Sequence, residues 1–528
     1  MRPKPTVLII LDGWGVAPHY SGNAITIADP QFFGYLSNNF PTAVLQASGE
    51  AVGLAWNEVG NSEVGHLNIG SGRIVYQNLT KISKSIEEYT FYKNKALNSA
   101  FEHAKGNNSK IHLLGLLSSG GVHSYLSHLY ALLEMAKRQN FTEVYIHLIL
   151  DGRDSQYNEG INLVSRLINK LDNMKIGKIA TLSGRSYAMD RDNNWERIEK
   201  AYSAIVNGKS DRYNKDPISI IDKSYQENNF DEEFIPTVIT DSDKNPIAKV
   251  EDNDSVIFFN FRSDRARQLT KAFSLPAFDK FNREHYLTNL KFVTFTEYEK
   301  NLPVEVAFPR EEIKNPLAKV ISDNKLTQLH IAETEKYAHI TYFFNGGKEE
   351  PFLGEDNVII PSPKTASYDQ IPEMSAKLIT QRVIKDVMAD KYDFIAINFA
   401  NSDMVGHTGN LEAAVKAIKF LDGCLQEIVE LILAKNGAAI IIADHGNSEE
   451  MIDKQSAEII KEHSNNPVPI IVVKNDLKGD SVGFLSPLKN KSSLSDLQPS
   501  GVLSDVAPTI LKIMEIPKPP EITGISLV

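Results

Sequence analysis

The strongest constraint on the fold is a recurring unit: a short apolar run that ends abruptly in a polar, chemistry-bearing loop. TVLIIL runs into Asp12 and GWG, FIAINFA into Asn401, Ser402 and Asp403, and AAIIIA into Asp444 and His445. Runs this short and this apolar mark strands buried on both faces of a parallel sheet, where ligands gather past the carboxyl ends of the strands. Amphipathic stretches such as LEAAVKAIKFLDGCLQEIVELILAK lie between them, with the spacing of helices that bury one face. Strand alternating with helix predicts an α/β fold with a largely parallel sheet.

The middle of the chain repeats this grammar. IHLLGLL leads into SSGGVHS, VYIHLIL into DGRD, IGKIATLS into GRSYAMDRDNNW, and SVIFFNF into RSDRARQ. Two sets of strand ends predict two α/β domains, and 528 residues are too many for one core. The first set begins at Asp12 and resumes only after residue 390. The middle set is therefore expected as an insertion, residues 78–312, within a discontinuous domain of residues 1–77 and 313–528. No internal repeat is visible, and the one linker-like stretch is the polar segment around 475–500.

Charge and cysteine content narrow the function. A net charge of −11 argues against nucleic-acid or membrane-surface binding. No apolar run reaches the roughly 18 residues of a membrane span. The N-terminal MRPKPTVLII opens like a signal peptide, but Asp12 and Gly13 interrupt it and no cleavage site follows, so it reads as a first strand. The single cysteine, Cys424, rules out an intrachain disulfide and points to a reducing, cytoplasmic compartment; within its apolar helix it reads as a core residue.

Three strand ends carry Asp12, Asp403 and Asp444, and three imidazoles accompany them. His407 lies four residues after Asp403, one helical turn away; His445 adjoins Asp444; His463 precedes the apolar run PVPIIVV. A nitrogen and oxygen donor set without thiolate suits Mn²⁺ or Zn²⁺, and its size suits two ions. Ser62 sits in GNSEVGH, between glycines at the start of a helical stretch. There it is either an N-cap or a nucleophile whose phosphate would face free amide N–H groups, activated by a metal. The middle loops hold Arg153, Arg185, Arg191, Arg262 and Arg265, with His123, Asp151 and Asp154. Five guanidinium groups in an acidic protein point to a small, highly anionic substrate.

These motifs together resemble a known family. DGWG at 12–15, GNSEVGH at 60–66, GGVHS at 120–124, DGRD at 151–154, NFRSDRARQ at 260–268, AETEKYAHITYFFNGG at 332–347, NSDMVGHTGN at 401–410 and ADHGN at 443–447 are similar, in order, to the cofactor-independent phosphoglycerate mutases of the alkaline phosphatase superfamily. The resemblance covers essentially the whole chain. It implies an alkaline phosphatase-like domain with a largely parallel sheet, interrupted by an inserted α/β transferase domain. It implies two Mn²⁺ sites, Asp403, His407 and His463 in one and Asp12, Ser62, Asp444 and His445 in the other. It implies that His123, Arg153, Asp154, Arg185, Arg191, Arg262, Arg265 and Lys336 hold phosphoglycerate. Ser62, Lys336, Asp154 and Arg262 would act in catalysis. Lys336 follows only from the resemblance, since KYAHITYFF reads as an ordinary strand lead-in. Ser119, Tyr125 and Ser263 depart from the family pattern, at positions without a named role.

The reaction so implied interconverts 3-phosphoglycerate and 2-phosphoglycerate in glycolysis and gluconeogenesis. It runs through phosphoserine, in a cytoplasmic monomer, without bisphosphoglycerate and without nucleic-acid or membrane partners. Domain closure about linkers near 77 and 312 would dry the site. Phosphopentomutases and metal-dependent phosphatases of the same superfamily are the alternatives, followed by a non-catalytic phosphate or metal binder.

Overall fold

The computed structural model describes residues 2–489 and 493–528. Of the polar stretch 475–500, residues 490–492 lie outside the described residues. The chain forms two compact units, Met1–Gln77 with Glu312–Val528, and Asn78–Glu311. Both are α/β, and each is built on a mostly parallel eight-stranded sheet.

In the discontinuous unit the strand order is Glu355–Ile360, Gln328–Glu333, Phe394–Phe399, Thr6–Leu11, Ala438–Ile442, Val468–Val473, Thr42–Gln46 and Gly501–Val502. The first five run parallel, and Val468–Val473 is antiparallel to both neighbours. Thr6–Leu11 lies between Phe394–Phe399 and Ala438–Ile442, with Leu11 opposite Phe399 and Ile10 opposite Ile442. That register brings the residues following each run, Asp12, Asn401–Asp403 and Asp444, to one edge of the sheet. The strands can be wholly apolar because both faces are covered. Helix Leu411–Ala434 buries Ala414, Ala417, Ile418, Leu421, Leu425 and Ile428 at helical spacing, with Cys424 beside them. Its Asp422 accepts from Phe32 N and Phe33 N at 2.8 Å each, capping the next helix, Gln31–Asn39.

The stretch after the Gln328–Glu333 strand differs from the sequence expectation. KYAHITYFF is no strand lead-in: a tight turn at Thr334–Lys336 runs into a wide helical turn at His339–Phe343. Tertiary contact overrides the strand preference of its Ile, Thr, Tyr and Phe residues. The turn packs on the helix Ser62–Ser71, where a Cβ on Gly70 would come within 2.7 Å of the Phe344 carbonyl carbon.

In the second unit the order is Glu305–Val306, Lys291–Thr294, Ser255–Phe258, Ile111–Leu117, Val144–Leu150, Lys178–Gly184, Thr237–Ile239 and Arg212–Asn214. All neighbours pair in parallel except Lys178–Gly184 with Thr237–Ile239. Leu117 pairs with Leu150 and Leu150 with Gly184, so the loops that follow them emerge side by side.

A polar chain crosses the inside of this second sheet. Asp254 Oδ2 meets His112 Nε2 at 3.1 Å, His112 Nδ1 meets His147 Nε2 at 2.9 Å, and His147 Nδ1 meets Thr181 Oγ1 at 2.9 Å. Burial holds His112 and His147 below the ordinary imidazole range, as it does His330, and drives His128 down to about 3. These side chains are neutral when folded, so the unfolded chain takes up their protons first. Their contribution is complete above the unfolded value near 6.5 and is lost as pH falls towards the folded values. Stability is expected to fall between pH 7 and 5, by up to about 1.4 kcal/mol per pH unit for each such histidine. Chemical denaturation at a series of pH values measures this, and an unfolding free energy flat over that range contradicts it.

Candidate active site

At the shared sheet edge the chain must turn sharply. Gly13 does so at φ +72°, and a Cβ there would lie 2.8 Å from Asp403 Cα. The turn leaves Asp12, Asp403 and Asp444 buried together, each at most 1% exposed. Ser62 opens the helix Ser62–Ser71, but it is not the cap. Asn61 fills that role, its side chain accepting from Val64 N at 2.9 Å. Ser62 Oγ is thus left for other contacts: His445 Nε2 at 2.9 Å, Asp12 Oδ1 at 3.3 Å and the Lys336 ammonium at 2.7 Å.

Lys336 reaches this point because the turn after Glu333 folds it inward. Its Nζ also donates to Asp12 Oδ1 and Asp403 Oδ2, at 2.6 Å each. Burial alone would strip the ammonium of its proton, but the fields of Asp12, Asp403 and Asp444 hold its pKa above the ordinary lysine value.

The imidazoles complete the cluster. His407 Nδ1 donates to Lys461 O at 2.6 Å and His463 Nδ1 to Gly60 O at 2.8 Å. Both rings therefore turn Nε2 inward, 3.0 Å from each other and each 3.3 Å from Asp403 Oδ1. Two imidazole lone pairs and a carboxylate oxygen converging in this way repel unless a proton or a cation lies among them. Correspondingly, the hydrogen bond that protonated His407 donates to Asp403 raises the pKa of His407. Burial pushes His445 down, but Asp444, Asp12 and Asp403 outweigh it and raise it to about 9. Asp403 and Asp444 are held far below the usual carboxylate range against their burial, Asp403 chiefly by Lys336 and Asp444 chiefly by His445. Three buried carboxylates are thus balanced by Lys336 and imidazolium, a charge pattern that a divalent cation fits with release of a proton.

Two groups have ligand atoms within 4.8 Å of one another: Asp403 with His445 and His463, and Asp12 with His66 and Asp444. Oxygen and imidazole donors without thiolate fit a hard or borderline divalent ion. His66 is a residue the sequence reading passed over, although it stands one helical turn after Ser62. Both its nitrogens are committed, Nδ1 to Ser62 O and Nε2 to the Asn398 amide, at 2.9 Å each. Asn398 also donates to Asp12 Oδ2 at 2.7 Å. His66 and Asn398 therefore tie the serine backbone to the Asp12 carboxylate. Asn447, donating to Asp403 Oδ1 at 3.0 Å, and Glu449, accepting from Gly15 N at 3.1 Å, brace the same loops. Neither was expected, although Asn447 ends the ADHGN motif.

In the second unit, the loops after adjacent strands gather His123, Arg153, Asp154, Arg185, Arg191, Arg262 and Arg265. Asp151 organises three of them. Its carboxylate accepts from Arg153 N, Asp154 N and Arg185 Nη1, and from Ser118 Oγ. Arg185 also donates to Asp154 Oδ2 at 2.6 Å and Arg153 to Glu232 at 3.4 Å. Burial, then the neighbouring Arg185, lower His123 to about 4, so its ring is neutral. Burial and the fields of Arg191, Arg185 and Arg153 depress even Arg265, a measure of how much positive charge is assembled here. His123 Nδ1 and Arg185 Nε are buried and make no hydrogen bond. Such groups are ready for an anionic or hydroxyl-bearing ligand.

Comparison with known proteins agrees with this chemistry. Residues 82–300 match the family model described as BPG-independent PGAM N-terminus. The 2,3-bisphosphoglycerate-independent phosphoglycerate mutase of Clostridium botulinum (strain Langeland) is 50% identical over 100% of both chains. That of Methanococcoides burtonii is 48% identical over 99% of this chain and 98% of its own. Among solved structures, the Leishmania mexicana phosphoglycerate mutase, crystallised at low cobalt concentration, aligns with a TM-score of 0.56 at 26% identity, covering 99% of this chain and 97% of that one.

Proposed function

The chain belongs to the 2,3-bisphosphoglycerate-independent phosphoglycerate mutases, and from that premise we propose that it interconverts 3-phosphoglycerate and 2-phosphoglycerate through a transient phosphoserine on Ser62. The observation that carries this reading is the position of Ser62 Oγ, 2.7 Å from a buried ammonium and within hydrogen-bond reach of the Asp12 carboxylate and the His445 imidazole, at a helix N-terminus.

Two divalent ions, with Mn²⁺ the proposed pair, would be held by Asp403, His407 and His463, and by Asp12, Ser62, Asp444 and His445. When bound they supply Lewis-acid neutralisation of phosphoryl charge and lower the pKa of the serine hydroxyl. The protein's own groups do the rest. The carboxylate oxygen Asp12 Oδ1 is within reach of the Ser62 proton. Lys336 Nζ offers its charge to the serine oxygen as it becomes nucleophilic and to the phosphoryl oxygens in transfer. Ser62 Oγ bonds to phosphorus as the substrate C–O–P ester opens, and the departing glycerate oxygen takes a proton, with Asp154 the proposed acid. Arg153, Arg185, Arg191, Arg262, Arg265 and His123 retain the glycerate. Its other hydroxyl then gives up a proton and takes the phosphoryl group back, restoring Ser62. Phosphoserine survives between the two transfers only if water is excluded. Ser62 and Lys336 are 6% and 4% exposed, which supports that condition.

We further propose a cytoplasmic monomer acting in glycolysis and gluconeogenesis on a small-molecule substrate. In support of that compartment, Cys424 is free, and no helix among the described residues is long and apolar enough to cross a membrane.

The test is turnover of 3-phosphoglycerate by chelator-stripped and Mn²⁺-reloaded protein, without added bisphosphoglycerate. Stripped protein is expected to be inactive and reloaded protein to form 2-phosphoglycerate. Release of free phosphate in place of 2-phosphoglycerate would make the enzyme a phosphatase. No product with any divalent ion would overturn the proposal entirely.

A further inference from the structure

In the arginine cluster, each acidic partner serves a particular guanidinium, and one carboxylate serves two. Asp264 Oδ2 accepts from Arg191 Nη1 at 3.0 Å, and Asp264 Oδ1 accepts from Arg262 Nε at 3.1 Å. Arg191 comes from the loop that precedes the helix Trp195–Tyr202, and Arg262 from the loop after the strand Ser255–Phe258. His123 Nδ1, buried and without a hydrogen bond, lies 3.7 Å from the same Oδ1.

We propose that Asp264 is a positioning residue that holds Arg191 and Arg262 together as one fork for the acidic groups of the substrate. This rests on the reading of the arginine cluster as the phosphoglycerate-binding set. The physical case has three parts. Two guanidinium groups repel, and both side chains are about half exposed, at 46% and 52%; without a carboxylate between them they splay into water. Each guanidinium carries five N–H donors in a rigid plane, and Asp264 engages one on each, so both forks keep faces for a bidentate ligand. Burial raises the Asp264 carboxyl, but the charges of Arg262 and Arg191 keep it below the usual range, so it stays charged. Asp264 therefore organises its arginines without occupying them. Arg185, by contrast, is gripped by both Asp151 and Asp154.

Exposed ion pairs are individually weak, so the expected effect is moderate. In Mn²⁺-loaded enzyme, Asp264→Asn should raise the KM and the calorimetric Kd for 3-phosphoglycerate about tenfold. It should leave kcat within about threefold and the unfolding midpoint unchanged. In a chain already carrying Arg191→Ala and Arg262→Ala, adding Asp264→Asn should weaken binding no further, because the residue acts only through those two. Unchanged or tighter binding by the single variant, as a competing internal anion would give, overturns the proposal. So does a full additional loss in the triple variant. If the double arginine variant binds phosphoglycerate as well as wild type, the assignment of the cluster itself fails and the Asp264 proposal falls with it.

Discussion

Ser62→Ala is expected to reduce mutase turnover by on the order of 10⁴-fold or more, while the protein still folds and binds metal. Removal of a covalent nucleophile has effects of this order because no neighbouring group can take over the bond. Here the candidates are few. The side-chain atoms bonded to the serine oxygen are the Lys336 ammonium, one carboxylate oxygen of Asp12 and the His445 imidazole nitrogen, all tied into the charge balance of the cluster. Folding should survive, since Asn61 rather than Ser62 caps the helix. The decisive assay traps the intermediate: wild type incubated with phosphoglycerate and quenched in acid should carry one phosphate on the peptide containing residue 62, and the variant none. Turnover by the variant within a hundredfold of wild type would remove the phosphoserine from the mechanism.

The second large effect is expected at Lys336, and it should appear in stability as well as in rate. Lys336→Met keeps an unbranched side chain, one atom shorter, and deletes its charge. Asp12 and Asp403, both buried, then lose an ammonium at 2.6 Å. Breaking a buried ion pair from one side costs about 3–5 kcal/mol, so metal-stripped Lys336→Met should unfold well below metal-stripped wild type. Reloading with Mn²⁺ should recover much of the difference, because the cations replace the missing positive charge. Activity of the reloaded variant should still be down by roughly 10²–10³-fold, the usual effect of removing one preorganised electrostatic group from a transferring centre. Calorimetric unfolding with and without metal, beside the rate assay, separates the two roles. Equal midpoints for the stripped proteins and a rate within tenfold of wild type would leave Lys336 as a bystander.

Some of this was legible in the chain as written. The α/β class follows from runs such as TVLIIL and AAIIIA, too short for helices and too apolar for strands with one wet face. The family follows from motifs distributed along the whole length. Residue types at strand ends are legible as well: one aspartate after a buried strand is usually a turn or cap residue, but three of them accompanied by imidazoles are not explained that way. Lys336 was legible only through family resemblance: the residues after it favour a strand, and packing on the helix Ser62–Ser71 folds them as helical turns. His66, Asn398 and Asp264 were not singled out at all. Each has a partner far along the chain, 332 residues from Asn398 to His66, 386 from Asn398 to Asp12 and 73 from Asp264 to Arg191, and the nearby contacts of His66 and Asp264 show no role without those distant ones.

The division has a physical basis. Local sequence determined what each segment prefers to be and which side chain it carries at its tip, since periodicity and burial act over a few residues. Only the tertiary structure decided which tips meet. Strand order places Phe394–Phe399 and Ala438–Ile442 on either side of Thr6–Leu11, and that adjacency, not any local pattern, brings Asp12, Asp403 and Asp444 together in one buried cluster. The protonation states of the cluster depend on that meeting as well: against burial, Lys336, distant in sequence, chiefly holds Asp403 down, while the adjacent Asp444 and His445 reinforce each other's charge in the same dry site.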